Sequence, residues 1–204
     1  PSASFVEGGR VSQTLPAKGF VGDELTNLVP SPYQAGVFDA LMAANPTEQW
    51  IFVWETDRNC PFSCEFCGWG DLETKPVQWS LEYVFRDIDW MAKHRMNYVF
   101  CCNANFGLLP RDVEIARYIA RVKMETGFPR GLGVQDTKNV KRRALEVRKI
   151  LREAFQSPVV ISLQSVDPTV LKNIRRDNIS LPDFFDIQRE FTALKQPSDE
   201  MAVN

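Results

Sequence analysis

Apolar runs of strand length alternate with segments of helical period from Trp50 onward. Short runs of β-branched and aromatic residues are typical of buried strands, whereas apolar residues three and four apart mark one face of a helix. The alternation therefore predicts repeated β-α units and a parallel sheet. The four predicted strands are residues 50–54, 98–102, 131–134 and 158–163.

Helical periodicity follows each predicted strand. The helices are expected to begin at Ser80, near Arg111, in the apolar stripe after Val140, and at Asp167, with one more near residues 182–195. Ser80 is a favourable N-cap, and Asp167 followed by Pro168 is a typical helix start. Four units with right-handed crossovers form half of an eight-unit barrel or two thirds of a six-unit one. The predicted fold class is α/β, a partial parallel (β/α) TIM-like barrel.

The first part of the chain has a different composition. It mixes Gly, Pro, Ser and short apolar patches, and residues 29–33 read as a stiff extended segment. The chain begins with Pro1 and not with Met, which indicates a piece of a longer protein. We expect residues 1–45 to be a linker or approach from an upstream domain. Residues 46–204 would form the core, incomplete at its C-terminal end.

Charge and cysteine usage narrow the class of protein. A net charge of -2 and a pI near 5.6 give no broad basic surface, which disfavours nucleic acid or a membrane surface as partner. The sequence shows neither a leader nor a run of eighteen apolar residues. Five cysteines, an odd number, do not form a typical secreted disulfide framework. We therefore expect a cytoplasmic protein that acts on a small molecule or a peptide.

Three cysteines in one loop carry the candidate chemistry. Cys60, Cys64 and Cys67 follow the first predicted strand with the spacing C-x3-C-x2-C. In parallel α/β sheets, sites lie at the carboxyl ends of the strands. Thiolates suit iron-sulfur clusters, zinc or copper(I), and three ligands on a cube leave one iron open.

A structural zinc site is the main alternative, in which the loop would only stabilise a binding module. Zinc needs a fourth ligand, and His94, Cys101 or Cys102 would have to supply it.

The pattern C-x3-C-x-Phe-C after the first strand of a β-α series resembles the radical S-adenosylmethionine (radical SAM) superfamily. The resemblance implies that Cys60, Cys64 and Cys67 bind a 4Fe-4S cluster. It also implies that S-adenosylmethionine chelates the fourth iron and that a reductant such as flavodoxin or ferredoxin supplies an electron.

Further segments resemble the cobalamin-dependent radical SAM methyltransferases. These segments are residues 30–33, 54–60, 67–70, 103–107 with 111–112, and 162–165 with 171–176. The narrower resemblance implies methyl transfer from S-adenosylmethionine through cobalamin to an unactivated carbon, with the cobalamin held by an upstream domain. Two positions depart from the family pattern, since Asn59 replaces the usual Gly and Asn103 the usual Asp. The alternative is a radical SAM enzyme that does not use cobalamin.

The resemblance also implies residues that contact S-adenosylmethionine. They are Phe66 and Trp69 for the adenine, Asn103 and Asn105 for the amino group, and Gln164 and Arg176 for the ribose or amino-acid end. Phe62, Phe66 and Trp69 would give the cluster an apolar shell. Purely structural roles are the alternative: core aromatics, a turn at Gly107, and arginines that cap a helix.

Overall fold

A computed structural model of the chain describes residues 4–14, 28–69, 76–137, 142–155 and 163–193. The strands in these ranges are β1 (Ser4–Glu7), β2 (Arg10–Gln13), β3 (Ile51–Trp54), β4 (Asp57–Arg58), β5 (Val77–Gln78), β6 (Tyr98–Phe106) and β7 (Gly131–Asp136). The helices are α1 (Asp39–Ala44), α2 (Leu81–Lys93), α3 (Arg111–Thr126), α4 (Arg142–Phe155), α5 (Pro168–Asn173) and α6 (Leu181–Ala193).

A parallel sheet with the order β3–β6–β7 lies at the centre of the fold. Phe52 of β3 pairs with Val99 of β6, and Val99 pairs with Leu132 of β7. Helix α2 connects β3 to β6, and α3 connects β6 to β7, as in the predicted β-α units. The α/β class with a parallel sheet is confirmed; the strands in the described ranges form an open sheet and not a closed barrel. The fourth predicted strand lies outside the described residues except for Leu163, which is not in a strand.

The two faces of the sheet differ in exposure. Phe52, Trp54 and Val99 are buried in one apolar core with residues of α2, α3 and α4. Removing this apolar surface from water is the main stabilising contribution to the fold. On the opposite face Ile51 and Val53 are 64% and 53% exposed, because side chains alternate between the faces of a strand.

The predicted helix starts are confirmed. The Ser80 hydroxyl accepts a hydrogen bond from the Tyr83 amide at 3.2 Å at the start of α2. Asp167 accepts hydrogen bonds from the amides of Thr169 and Val170 at 2.7 and 3.0 Å, and Pro168 is the first residue of α5. These contacts satisfy amides that have no partner within the helix.

Strand β6 is longer than predicted. The sequence ends this strand at Cys102, whereas the structure extends it through Asn103 and Asn105 to Phe106. The polar side chains suggested a loop, but they are buried and hydrogen-bonded. The register to β7 is interrupted here, because residues 102–105 of β6 face only Gln135 between the paired positions. The ladder is therefore irregular in the part of β6 where the Asn105 side chain contacts Cys60.

Gly107 ends β6 in a conformation that favours glycine. Its φ is +94°, and an added Cβ would lie 3.3 Å from the Cα of Ala144 in α4. The backbone turns at this glycine, and the absence of a side chain allows α4 to approach the end of the strand.

Part of the predicted N-terminal linker packs on the core. The Tyr33 ring stacks on Phe52 with a centroid distance of 3.7 Å, and its hydroxyl donates to the Val53 carbonyl at 2.8 Å. Ser31 donates to the buried carboxylate of Asp87 at 2.7 Å. The prediction of an extended segment at residues 29–33 is wrong at the end of that range. Consecutive turns run over residues 32–38 into α1.

Candidate metal-cluster and cofactor site

The cysteine loop begins after β4 and lies between β3 and α2, as predicted from the sequence. β4 comes before the loop and β5 comes after it, and the two strands pair antiparallel. Cys60 and Cys64 are buried, Cys67 is half-buried, and all three are free thiols. The sequence did not predict this short pair of strands.

Asn59 supports the entry to the loop by its backbone conformation. Its φ is +78°, in the left-handed region that glycine favours and that asparagine tolerates better than most other residues. The replacement of the family's usual Gly by Asn therefore keeps the backbone turn directly before Cys60.

Backbone contacts tie the loop to the segment after α5. The Cys67 amide donates to the Cys64 carbonyl at 3.0 Å, and the Glu65 amide donates to the Ile174 carbonyl at 3.0 Å. Arg175 and Glu65 form an ion pair at 2.8 Å. Two chain segments more than a hundred residues apart thus meet at the cysteines.

Two nitrogen donors face the buried sulfurs. The Asn105 side-chain amide lies 3.1 Å from the Cys60 sulfur, and Nη1 of Arg176 lies 4.0 Å from the Cys64 sulfur. Asn105 and Arg176 are both buried. The structure therefore brings together four residues that the sequence assigns to the site.

Asn103 makes different contacts. Its side-chain amide donates to the hydroxyl of Thr56 and to the carboxylate of Asp57, and its side-chain oxygen accepts from the Thr56 amide at 2.9 Å. All three residues are buried, so these bonds satisfy groups that would otherwise be costly to desolvate. The Asn103 side chain thus fixes the residues that lead into the cysteine loop.

Asp112 and Arg111, at the start of α3, act on Asp57 of this network by their charges. Asp112 accepts from the amides of Gly107 and Leu109 at 2.9 and 2.8 Å, and Arg111 donates to the carbonyl of Trp79. No role in the site was predicted from the sequence for Asp112, Arg111, Thr56 or Asp57. The only signal was their position inside the segments that carry the family resemblance.

The buried carboxylates are hard to ionise. Burial raises the pKa of Asp57 to about 7, and the nearby negative charge of Asp112 adds to the effect. Burial also raises the pKa of Asp112 to about 6, although the Leu109 and Gly107 amides favour its charged form. Desolvation disfavours the charged form of any such group.

A cavity of about 200 Å³ opens beside the loop, and Asp57, Asn59, Trp69 and Ala104 are among its lining residues. Trp69 is 45% exposed and Phe66 is 53% exposed. Phe62 is half-buried, so the three aromatic residues of the expected apolar shell differ in exposure, while Cys60 and Cys64 themselves are buried.

Gln164 is exposed in a bend before α5. Within the described residues, no hydrogen bond or ion pair joins its side chain to the cysteine loop. Its neighbour Ser165 is linked to the Arg176 segment, because the Asn178 amide donates to the Ser165 carbonyl at 2.7 Å. The contacts predicted for Gln164, Phe66 and Trp69 with S-adenosylmethionine remain predictions.

The three thiols of the loop would be the protein ligands of a metal centre. Among the described residues, no three His, Cys, Asp or Glu side chains are grouped so that they could hold a metal ion. Four ligands around one zinc would bring sulfurs within about 3.8 Å of one another, given a Zn–S distance of about 2.3 Å. His94 stacks on Trp90 at 3.9 Å, and the Cys102 thiol donates to the Trp54 carbonyl at 3.1 Å. Three thiols would suit an iron-sulfur cube with one open iron, in which each cysteine would bind a different iron atom.

Comparison with known proteins gives matches over most of the chain. A family model described as the radical SAM superfamily matches residues 54–201. The chain is 38% identical over 166 residues to 2-(S-pantetheinyl)-carbapenam-3-carboxylate methyltransferase of Streptantibioticus cattleyicolor, covering 79% of this chain and 24% of that protein. It is 37% identical over 168 residues to the cobalamin-dependent radical SAM methyltransferase TokK of Streptomyces tokunonensis, covering 80% and 25%.

A more distant relative is the hopanoid C-2 methylase of Rhodopseudomonas palustris, 27% identical over 127 residues, covering 60% of this chain and 24% of that protein. The crystal structure of methylornithine synthase (PylB) matches with a TM-score of 0.44 and 13% identity, covering 89% of this chain and 52% of that one. The chain spans about a quarter of the length of these curated relatives. None of the helices in the described residues has the length and apolar character needed to span a membrane.

Proposed function

Because the chain belongs to the radical SAM superfamily, we propose that Cys60, Cys64 and Cys67 hold a 4Fe-4S cluster and that S-adenosylmethionine binds beside it. One observation carries the proposal: a C-x3-C-x2-C loop at the end of a parallel sheet, with nitrogen donors at two of its buried sulfurs. When bound, such a cluster supplies one electron to the sulfonium, which requires a low reduction potential.

The described residues offer the groups that S-adenosylmethionine requires. The exposed rings of Phe66 and Trp69 can stack on adenine, and the Trp69 ring lines the cavity beside the loop. The interrupted ladder of β6 leaves the backbone at Asn103 outside the regular pairing with β7, so that it can bind the amino group of the ligand. Gln164 and Arg176 would serve the ribose or the amino-acid end.

The proposed reaction is methyl transfer to an unactivated carbon with cobalamin as methyl carrier. The names of the two most similar relatives reported above support it, since both are methyltransferases and one is cobalamin-dependent. The cobalamin would bind a part of the protein outside these 204 residues, because those relatives are about four times as long as the matched segment. The substrate would be a small molecule or a peptide, and a flavodoxin or ferredoxin in the cytoplasm would be the reductant.

Anaerobic reconstitution with iron and sulfide tests the cluster. We expect about four iron and four sulfide per chain, and a loss of most of this iron in Cys67→Ser. Cys102→Ser is the matched control, because Cys102 is also a half-buried free thiol but lies outside the loop. One zinc per chain without sulfide would contradict the proposal.

Reduction of the reconstituted chain with S-adenosylmethionine tests radical generation, and the same assay on a longer protein that includes the cobalamin-binding part, with hydroxocobalamin added, tests methyl transfer. Formation of 5'-deoxyadenosine supports radical generation, and methylcobalamin supports methyl transfer through cobalt. A fully loaded cluster that yields neither product would contradict the activation of S-adenosylmethionine.

A further inference from the structure

The two buried cysteines of the loop each have a nitrogen donor from a distant part of the chain. Asn105 lies in β6, and its amide nitrogen is 3.1 Å from the Cys60 sulfur. Arg176 follows α5, and its Nη1 is 4.0 Å from the Cys64 sulfur. The half-buried Cys67 has no such donor at its sulfur within the described part of the chain.

Burial confines the Asn105 side chain, and hydrogen bonds hold Arg176. Asn105 is 6% exposed, and its backbone carbonyl accepts from the Leu108 amide at 3.1 Å, which fixes the main chain; among the described residues its side-chain oxygen has no hydrogen-bond partner. The Arg176 side chain is also 6% exposed, and its Nε donates to Asn178 at 3.0 Å. The Arg176 amide donates to the Leu171 carbonyl at 2.9 Å. Two separate packing arrangements therefore aim an N–H group at a sulfur.

A hydrogen bond to a cluster sulfur acts on the reduction potential. Reduction adds negative charge that is shared with the thiolate sulfurs, so an N–H donor stabilises the reduced form more than the oxidised form. The positive charge of Arg176 acts in the same direction, and burial strengthens both effects because the local dielectric is low.

We infer that Asn105 and Arg176 are positioning residues that act through Cys60 and Cys64 and raise the reduction potential of the bound cluster. This inference rests on the proposed function and deepens it. It gives these two side chains a role at the sulfurs, whereas the family resemblance assigns them to S-adenosylmethionine. The two N–H donors would make the oxidised cluster easier to reduce. For the same reason the reduced cluster would be a weaker reductant than one without these donors.

The test is a redox titration of the reconstituted chain in the absence of S-adenosylmethionine. Electron paramagnetic resonance measures the amount of reduced cluster at each potential. Asn105→Leu keeps the approximate volume of the side chain and removes the donor. We expect a more negative midpoint potential, so that the ratio of reduced to oxidised cluster falls several-fold at an ambient potential equal to the wild-type midpoint. Arg176→Met should act in the same direction, and Arg176→Lys should restore part of the difference.

Arg175→Met is the matched control, because Arg175 is the exposed neighbour that pairs with Glu65 and not with a sulfur. If Asn105→Leu does not retain iron, Asn105→Ser serves in its place, since the shorter side chain cannot reach the sulfur. Unchanged midpoint potentials in fully loaded Asn105 and Arg176 variants would overturn the inference. The same holds if the potentials are unchanged and only the binding of S-adenosylmethionine becomes weaker. A wild-type chain that takes up no cluster would instead refute the proposed function.

Discussion

At the residue scale, single positions around the cysteine loop have strict backbone requirements. Asn59 has a φ of +78°, directly between the short strand β4 and Cys60. Left-handed backbone costs about 1–2 kcal/mol for an ordinary L-residue, less for asparagine and nothing for glycine. The residue type at this position therefore influences how easily the loop adopts the conformation that presents its first sulfur.

We expect Asn59→Gly to leave the free energy of unfolding within about 0.5 kcal/mol of the wild type. Asn59→Val should lower it by about 1–2 kcal/mol, because a β-branched residue is strained at positive φ. Urea unfolding of the metal-free chain measures both values. Equal stability of the valine and glycine variants would show that this conformation does not limit the fold.

At the element scale, β3 separates a packed face from an exposed one. Phe52 is 1% exposed and packs against Tyr33 and Trp90, whereas its neighbour Val53 is 53% exposed. Parallel strands are commonly covered on both faces, and here helices cover only one in the described structure. The energetic contribution of a residue in this strand therefore depends on the face to which its side chain points.

Truncation of the two neighbours tests this asymmetry. Phe52→Ala should lower the free energy of unfolding by about 3–5 kcal/mol, since it leaves a cavity in the core. We expect Val53→Ala to change it by less than about 1 kcal/mol, because little apolar area is buried there. The comparison uses urea unfolding at one pH. Similar losses for both variants would mean that another part of the molecule covers the outer face.

At the scale of the whole molecule, hydrogen bonds connect the sheet to the entry of the cysteine loop, and charges at the start of α3 act on the same buried group. Asp57 precedes the loop and accepts from Asn103 of β6, while Asp112 at the start of α3 adds negative charge near Asp57. The nearby charges of Arg111 and Glu55 act in opposite directions on Asp57, and burial is the largest effect. The stability of the whole fold is therefore coupled to the protonation of a side chain close to the site.

The fold should become less stable as the pH rises through the range from about 4 to about 7. The pKa of Asp57 is about 7 in the folded chain, above its ordinary value, so the folded chain binds a proton that the unfolded chain has released. Stability from this group is fully present below its unfolded pKa and is lost above about pH 7. Asp57→Asn cannot titrate, and we expect it to remove about 2 kcal/mol of the decline between pH 5 and pH 8.

Urea unfolding of the metal-free chain at several pH values measures this decline. Asp112→Asn provides the comparison, because it should remove only the part of the decline below about pH 6. The same pH dependence in wild type and Asp57→Asn would contradict the coupling.

Local patterns in the sequence determined the alternation of β3, α2, β6, α3, β7 and α4 and the position of the cysteine loop, but not the short pair β4 and β5. Ser80 and Asp167 mark helix starts through contacts within three residues, and the spacing of Cys60, Cys64 and Cys67 is itself a local property. The resemblance to the radical SAM superfamily used these same signals, and the family match agrees with it.

Only the tertiary structure decided which side chains meet at the loop. Asn103 and Asn105 looked like loop residues, because a polar side chain in isolation favours solvent. The fold buries them and pairs them with Asp57 and with Cys60, which lie more than forty residues earlier in the chain. Arg176 reaches Cys64 across 112 positions. Such pairings depend on how the sheet and the segment after α5 pack together, and no local sequence pattern encodes that distance.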